Sequence, residues 1–97
     1  MMKMYISLDN NKILREKKYS LDKINNYLDV QFENRGMTKA QDGWYINGDF
    51  ASCGAMSVKL SRLDWFMDNV DEWLWCDTSD QSVDDLKAFY SKEKAVG

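Results

Sequence analysis

Residues 63–77 read Leu63-Asp64-Trp65-Phe66-Met67-Asp68-Asn69-Val70-Asp71-Glu72-Trp73-Leu74-Trp75-Cys76-Asp77, and the fold turns on how much of this run is helical. Leu63, Phe66, Met67, Val70 and Leu74 fall at i, i+3, i+4, i+7 and i+11, an apolar stripe that predicts a helix beginning after a Ser61 cap. On that helix Trp65 and Trp75 point away from the stripe and Trp73 lies at its margin. Glu72 to Asp77 is also dense in strand-forming aromatic residues, and a short strand there stays open as the alternative.

Downstream, Thr78 to Gln81 is a polar connection. Ser82 followed by Asp85 forms a capping-box variant ahead of Val83, Leu86, Phe89 and Tyr90, which predicts a short C-terminal helix. Upstream, Met56, Val58 and Leu60 alternate with Ser57, Lys59 and Ser61, the period of a strand with one wet face. Asp42-Gly43 and Asn47-Gly48 are turn dipeptides flanking a short strand at Trp44-Tyr45-Ile46.

Ser20 is placed to cap a helix carrying Leu21, Ile24, Leu28 and Phe32 on one side, with Asp22 complementing its dipole and Gly36 ending it. Met4, Ile6 and Leu8 alternate with Tyr5 and Ser7, predicting an opening strand, and Asp9-Asn10-Asn11 reads as a turn. Lys12 to Tyr19 then returns as a second strand with a charged face. Together these elements predict an α+β fold: a small three- to four-stranded, mainly antiparallel sheet packed with two or three helices.

The chain has 97 residues, 44% apolar and 13% aromatic with four Trp. That length and composition predict one folded domain spanning 1–97. With wide aromatic surfaces on so small a core, association with a second copy or a partner is expected. Met1 to Leu8 lacks the features of a secretory leader, and no stretch is long and apolar enough to span a bilayer, so a cytoplasmic protein without membrane contact is expected. Cys53 and Cys76 are then expected to be free thiols.

There is no His. Catalytic triads and HExxH zinc sites are thereby excluded, and with them the commonest general base at neutral pH. Asp64, Asp68, Asp71 and Glu72 have helical spacing, but the calcium-loop pattern is missing, and Asp77 to Asp80 lacks the glycine and downstream Glu of such a loop. Neither Cys has a neighbouring activator in sequence. No enzyme activity, metal or cofactor is therefore expected.

Charge is segregated along the chain. Residues 63–86 hold eight acids and no Lys or Arg, whereas residues 1–41 hold eight basic and five acidic residues. Trp side chains ringed by carboxylates make a docking surface for a protein partner, with Trp65, Asp68, Glu72, Trp73 and Trp75 as candidate binding residues. The competing reading has the Trp residues covering the sheet or sealing a homodimer while the acids form a solvated face. Two further readings are a nucleic-acid mimic built on the acidic face, and direct nucleic-acid binding through Lys12, Arg15, Lys17, Lys18 and Lys23 with stacking by Tyr19 or Trp44. In size and composition the chain resembles accessory proteins of bacterial plasmids, phages and conjugative elements, a resemblance that gives no residue a role.

Overall fold

The computed structural model describes the backbone of residues 1–96 and the side chains of residues 1–92. Its elements are β1 (Met2–Leu8), α1 (Asn10–Glu16), α2 (Leu21–Glu33), β2 (Thr38–Lys39), β3 (Trp44–Gly48), α3 (Phe50–Ser61), α4 (Asp64–Asn69), β4 (Val70–Asp77), β5 (Ser82–Asp85) and α5 (Leu86–Val96). The strands form one sheet in the order β2-β3-β1-β4-β5, with every neighbouring pair antiparallel. The α+β class agrees with the sequence reading. The counts do not: five strands and five helices stand among the described residues, where three to four and two to three are expected.

The stretch 63–77 divides at Asn69. Its side-chain Nδ2 donates to the Trp65 carbonyl at 2.7 Å, and its backbone carbonyl accepts from the Asp9 N–H at 2.8 Å, which stops the helix and ties it to the end of β1. Val70 then starts a strand that runs beside β1, pairing Ile6 with Trp73 and Met4 with Trp75. The predicted continuous helix through Leu74 is thus wrong beyond Asn69, and the strand alternative for Glu72 to Asp77 is right. A long ladder beside β1, which seats Trp73, outweighs the helical spacing of Val70 and Leu74. Ser61 closes α3, donating to the Val58 carbonyl at 2.8 Å, and caps nothing downstream.

Three other segments depart from expectation. Residues 10–16 are helical because the Asp9 carboxylate accepts from the Lys12 amide at 3.0 Å, and Ile13 enters the core. Residues 50–61 are helical because Asp49 caps the Ser52 amide at 2.6 Å; the buried positions Cys53, Met56, Ser57 and Leu60 follow the helical period, while Val58 is exposed. Residues 82–85 are a strand, and Asp85, rather than Ser82, caps the last helix through the Ala88 amide at 3.0 Å. The Ser20-capped helix, the Asp42-Gly43 turn and the polar link at 78–81 stand as expected.

All five helices meet the same face of the sheet. Phe32 of α2 stacks on Tyr45 at 3.9 Å between centroids, Phe50 of α3 lies 5.5 Å from Trp75, and Phe66 of α4 and Tyr90 of α5 meet Trp73 at 5.0 and 5.3 Å. Ile13 brings α1 into the same core, together with Met4, Leu28, Met56 and Leu60. Burial of such side chains, each contributing about 1.5–3 kcal/mol, carries the fold. Asn47-Gly48 is a bulge in β3 and not a hairpin turn: Asn47 has φ 67°, and the register with β1 shifts beside it. Gly48 is required there, since a Cβ would sit 2.7 Å from Met37 Cε, 2.9 Å from Cys53 Sγ and 3.0 Å from the Met2 carbonyl.

Candidate functional site

The five residues marked by the acidic, Trp-rich stretch do not form one surface. Trp73 is wholly buried, its indole N–H directed at Met4 Sδ at 3.3 Å, so its side chain has nothing to offer a partner in this conformation. Trp75 lies on the same covered face, half-buried against Phe50, with its N–H 3.1 Å from Met2 Sδ. Trp65, on α4, packs edge-on to Tyr27 of α2 at 5.5 Å. Asp68 is exposed at the far end of α4, where Lys12 Nζ reaches its backbone carbonyl at 2.5 Å. Glu72 is exposed and paired across the ladder with Ser7, on the opposite side of the sheet from Trp73 and Trp75. The two Trp side chains that helical geometry sends to solvent are therefore edge pieces of the core.

Strand alternation assembles a different set on that opposite side. Opposite Met4, Ile6, Tyr45 and Trp73 stand Lys3, Tyr5 and Ser7 of β1, Trp44 and Ile46 of β3, Glu72, Leu74 and Cys76 of β4, and Val83 and Asp85 of β5. The register sets Trp44, Tyr5, Leu74 and Asp85 in one row across the strands, with Lys3, Cys76 and Val83 in the row beside it. Tyr5, Trp44, Ile46, Leu74 and Val83 lie outside the core cluster and outside the side chains packed on it. Val83 is 54% exposed. Tyr5, Trp44, Ile46 and Leu74 are half-buried, and among the described residues no core side chain of a helix packs on this apolar face.

Local contacts hold its aromatic centre in place. Tyr5 and Trp44 lie 5.4 Å apart and tilted, and Lys3 Nζ sits 4.5 Å over the Trp44 ring, a cation–π contact. Gly43, at φ 92°, comes so close that a Cβ there would stand 3.2 Å from the Tyr5 ring. Lys3, Trp44, Cys76, Thr78, Gln81 and Val83 border a shallow groove of about 450 Å³ along the β4–β5 hairpin. Asp77 and Asp80 fold that hairpin turn through bonds from Ser79 and Ser82. The two bonds from Ser79 hold the Asp77 carboxyl below its ordinary range, the hydroxyl contributing most.

The titratable groups of the core are arranged for packing. Burial, with the Asp49 charge adding to it, pushes the Cys53 thiol up to about 11, so it is protonated and unreactive at neutral pH. Cys76, on the other side of the sheet, is also buried and free. Burial and the nearby Asp29 carboxylate, which accepts from the Tyr45 hydroxyl at 2.6 Å, raise the Tyr45 phenol. Among the described residues no group of acids and cysteines converges to hold a metal ion, and no helix is long and apolar enough to cross a membrane.

A second concavity, about 500 Å³, joins the basic stretch to Trp65. Lys18, Tyr19, Lys23, Tyr27, Leu63 and Trp65 are among the residues that line it. Of the open-face residues, Tyr5 and Ser7 are separated from Met4, Ile6 and Leu8 by period two in the sequence. The surface is missed there because β4 reads as helix, which leaves Leu74 and Glu72 without a place beside Tyr5. No family profile, curated protein or solved structure matches the chain.

Proposed function

We propose that this chain is a non-enzymatic, cytoplasmic protein-interaction module that works through the open face of its sheet. The observation that carries this reading is the contiguous apolar set Tyr5, Trp44, Ile46, Leu74 and Val83, half-buried except for the exposed Val83 and outside the core cluster, while the described core side chains of the helices pack on the other side. Contiguous apolar surface of this kind marks an interaction site, with aromatic anchors at the centre and charges at the rim. The acidic stretch still contributes, but through Glu72, Leu74, Val83 and Asp85 rather than through its Trp residues. Two buried thiols with no disulfide suit a reducing compartment.

The test is site-specific photo-crosslinking in cells that express the protein, with the photoreactive residue at position 83 or, as a likewise exposed control on the helix side of the sheet, at position 50. Protein adducts from position 83 and none from position 50 are expected. Equal adducts from both, or none from either, would remove the open face as the interaction surface.

One observation favours a second reading. The groove that gathers Lys18, Lys23, Tyr19 and Trp65 supplies cations beside aromatic rings, the combination that binds single-stranded nucleic acid. The 4.8 sequence pI and the nearby acids rank it below protein docking. Anisotropy titration of a labelled oligonucleotide at low salt decides it, since Lys18→Glu with Lys23→Glu abolishes any such binding.

A further inference from the structure

Resting on that reading of the open face, we propose that its occupant is a second copy of this chain, packed sheet against sheet about a twofold axis. A closed dimer of this kind requires one patch to complement itself in shape and charge. The rows of the open face do so. The ladder sets Lys3 opposite Cys76, Tyr5 opposite Leu74 and Ser7 opposite Glu72, so the cation lies in one row, the acid two residues further along the strands, and the apolar row between them.

A twofold axis laid across the strands along Trp44, Tyr5 and Leu74 sets that row against its own copy. The same operation carries Lys3 over the partner's Ser7, with the partner's Glu72 one strand aside, about 5 Å away. Two symmetric Lys3–Glu72 pairs then flank an apolar centre, and the two Asp85 carboxylates, each held by its own Ala88 amide, meet at the rim on the outer strand. Val83 and Cys76 fall toward the Glu72 row of the other copy.

Edge-to-edge association does not compete. Strand β2 has two residues, and β5 carries Asp84 and Asp85 side by side on an outer edge, both features that blunt strand pairing. Five strands about 4.8 Å apart and a seven-residue central strand give a face of roughly 20 by 23 Å. That is smaller than the roughly 800 Å² per partner of a standard interface, which makes the dimer a weak, concentration-dependent one. A nucleic acid stacked on Tyr5 and Trp44 fits less well, because Lys3 is the one cation among the open-face positions and Glu72 and Asp85 border the rings.

The experiment is sedimentation velocity over a concentration series, with circular dichroism confirming that each variant folds. The wild type is expected to move from monomer to dimer. Lys3→Glu and Glu72→Lys each weaken dimerisation about 10-fold, and the doubly reversed chain recovers to within about 3-fold, since the pairs form again across the axis. Leu74→Asp abolishes the dimer. A monomer at every concentration, or a dimer that survives Leu74→Asp, overturns the proposal. If the chain is monomeric yet position 83 crosslinks to another protein, self-association fails and the interaction reading stands; if position 83 is also silent, both fail. Oligonucleotide binding lost on Trp44→Ala would assign the face to nucleic acid instead.

Discussion

The two faces of the sheet are drawn from the same strands, residue by alternate residue, yet they are treated in opposite ways. On one side Met4, Tyr45, Trp73 and Trp75 lie under five helices, linked by a run of ring contacts from Tyr27 through Trp65, Phe66 and Trp73 to Tyr90. On the other, Tyr5, Trp44, Leu74 and Val83 stand outside that core, with Lys3, Gly43 and Cys76 among their neighbours. Both faces are aromatic, so aromatic content by itself does not mark a docking surface. What distinguishes them is coverage, and coverage follows from which strand position each ring occupies.

Substitutions on the two faces should therefore separate stability from association. The largest stability loss is expected at Trp73, buried among Met4, Phe66 and Tyr90: Trp73→Ala should cost about 3–5 kcal/mol in urea unfolding, enough to leave much of the chain unfolded. A loss below 1 kcal/mol would mean that the covered face is not the core. Next is Gly48→Ala, which drives a methyl into Met37, Cys53 and the Met2 carbonyl and should cost about 1–3 kcal/mol by the same assay.

The buried thiol sharpens the comparison through pH. Cys53 has its folded value raised from 9.0 to about 11, so its contribution is fully present below the unfolded value and declines as pH rises from about 9 toward 11. The raised Tyr45 phenol acts in the same direction above about 10. Unfolding free energy should fall by about 1 kcal/mol per pH unit in that window, and Cys53→Ala should flatten the decline. A slope unchanged by that substitution would separate Cys53 from the effect. The smallest change is expected at Val83→Ser on the open face, within about 0.5 kcal/mol of wild-type stability while dimerisation weakens.

Much of this division was legible in the sequence, and its failures have physical causes. Period two in Met4 to Leu8 showed the two faces of β1, and Ser20 with Gly36 bounded α2. Met56-Val58-Leu60 misled because three apolar residues alternate by chance on a helix whose buried side is Cys53, Met56, Ser57 and Leu60; the Asp49 cap was the overlooked signal. At Val70 to Leu74 helical spacing and strand propensity conflict, and only the long-range ladder with β1 decides between them. The candidate site suffered most from that conflict. A helix continued through Leu74 sends Trp65 and Trp75 to solvent, whereas it ends at Asn69, and Trp44 sits on a strand too short to show a period.

The contrast between the faces is tested most directly by the indole N–H resonances of Trp44 and Trp73 in the presence of a soluble paramagnetic probe, followed over a protein dilution series. The account predicts that Trp73 stays sharp at every concentration, while Trp44 broadens in dilute solution and becomes protected as the protein is concentrated and the open faces meet. Broadening of Trp73, or a Trp44 resonance shielded equally at all concentrations in the Leu74→Asp variant, would contradict it.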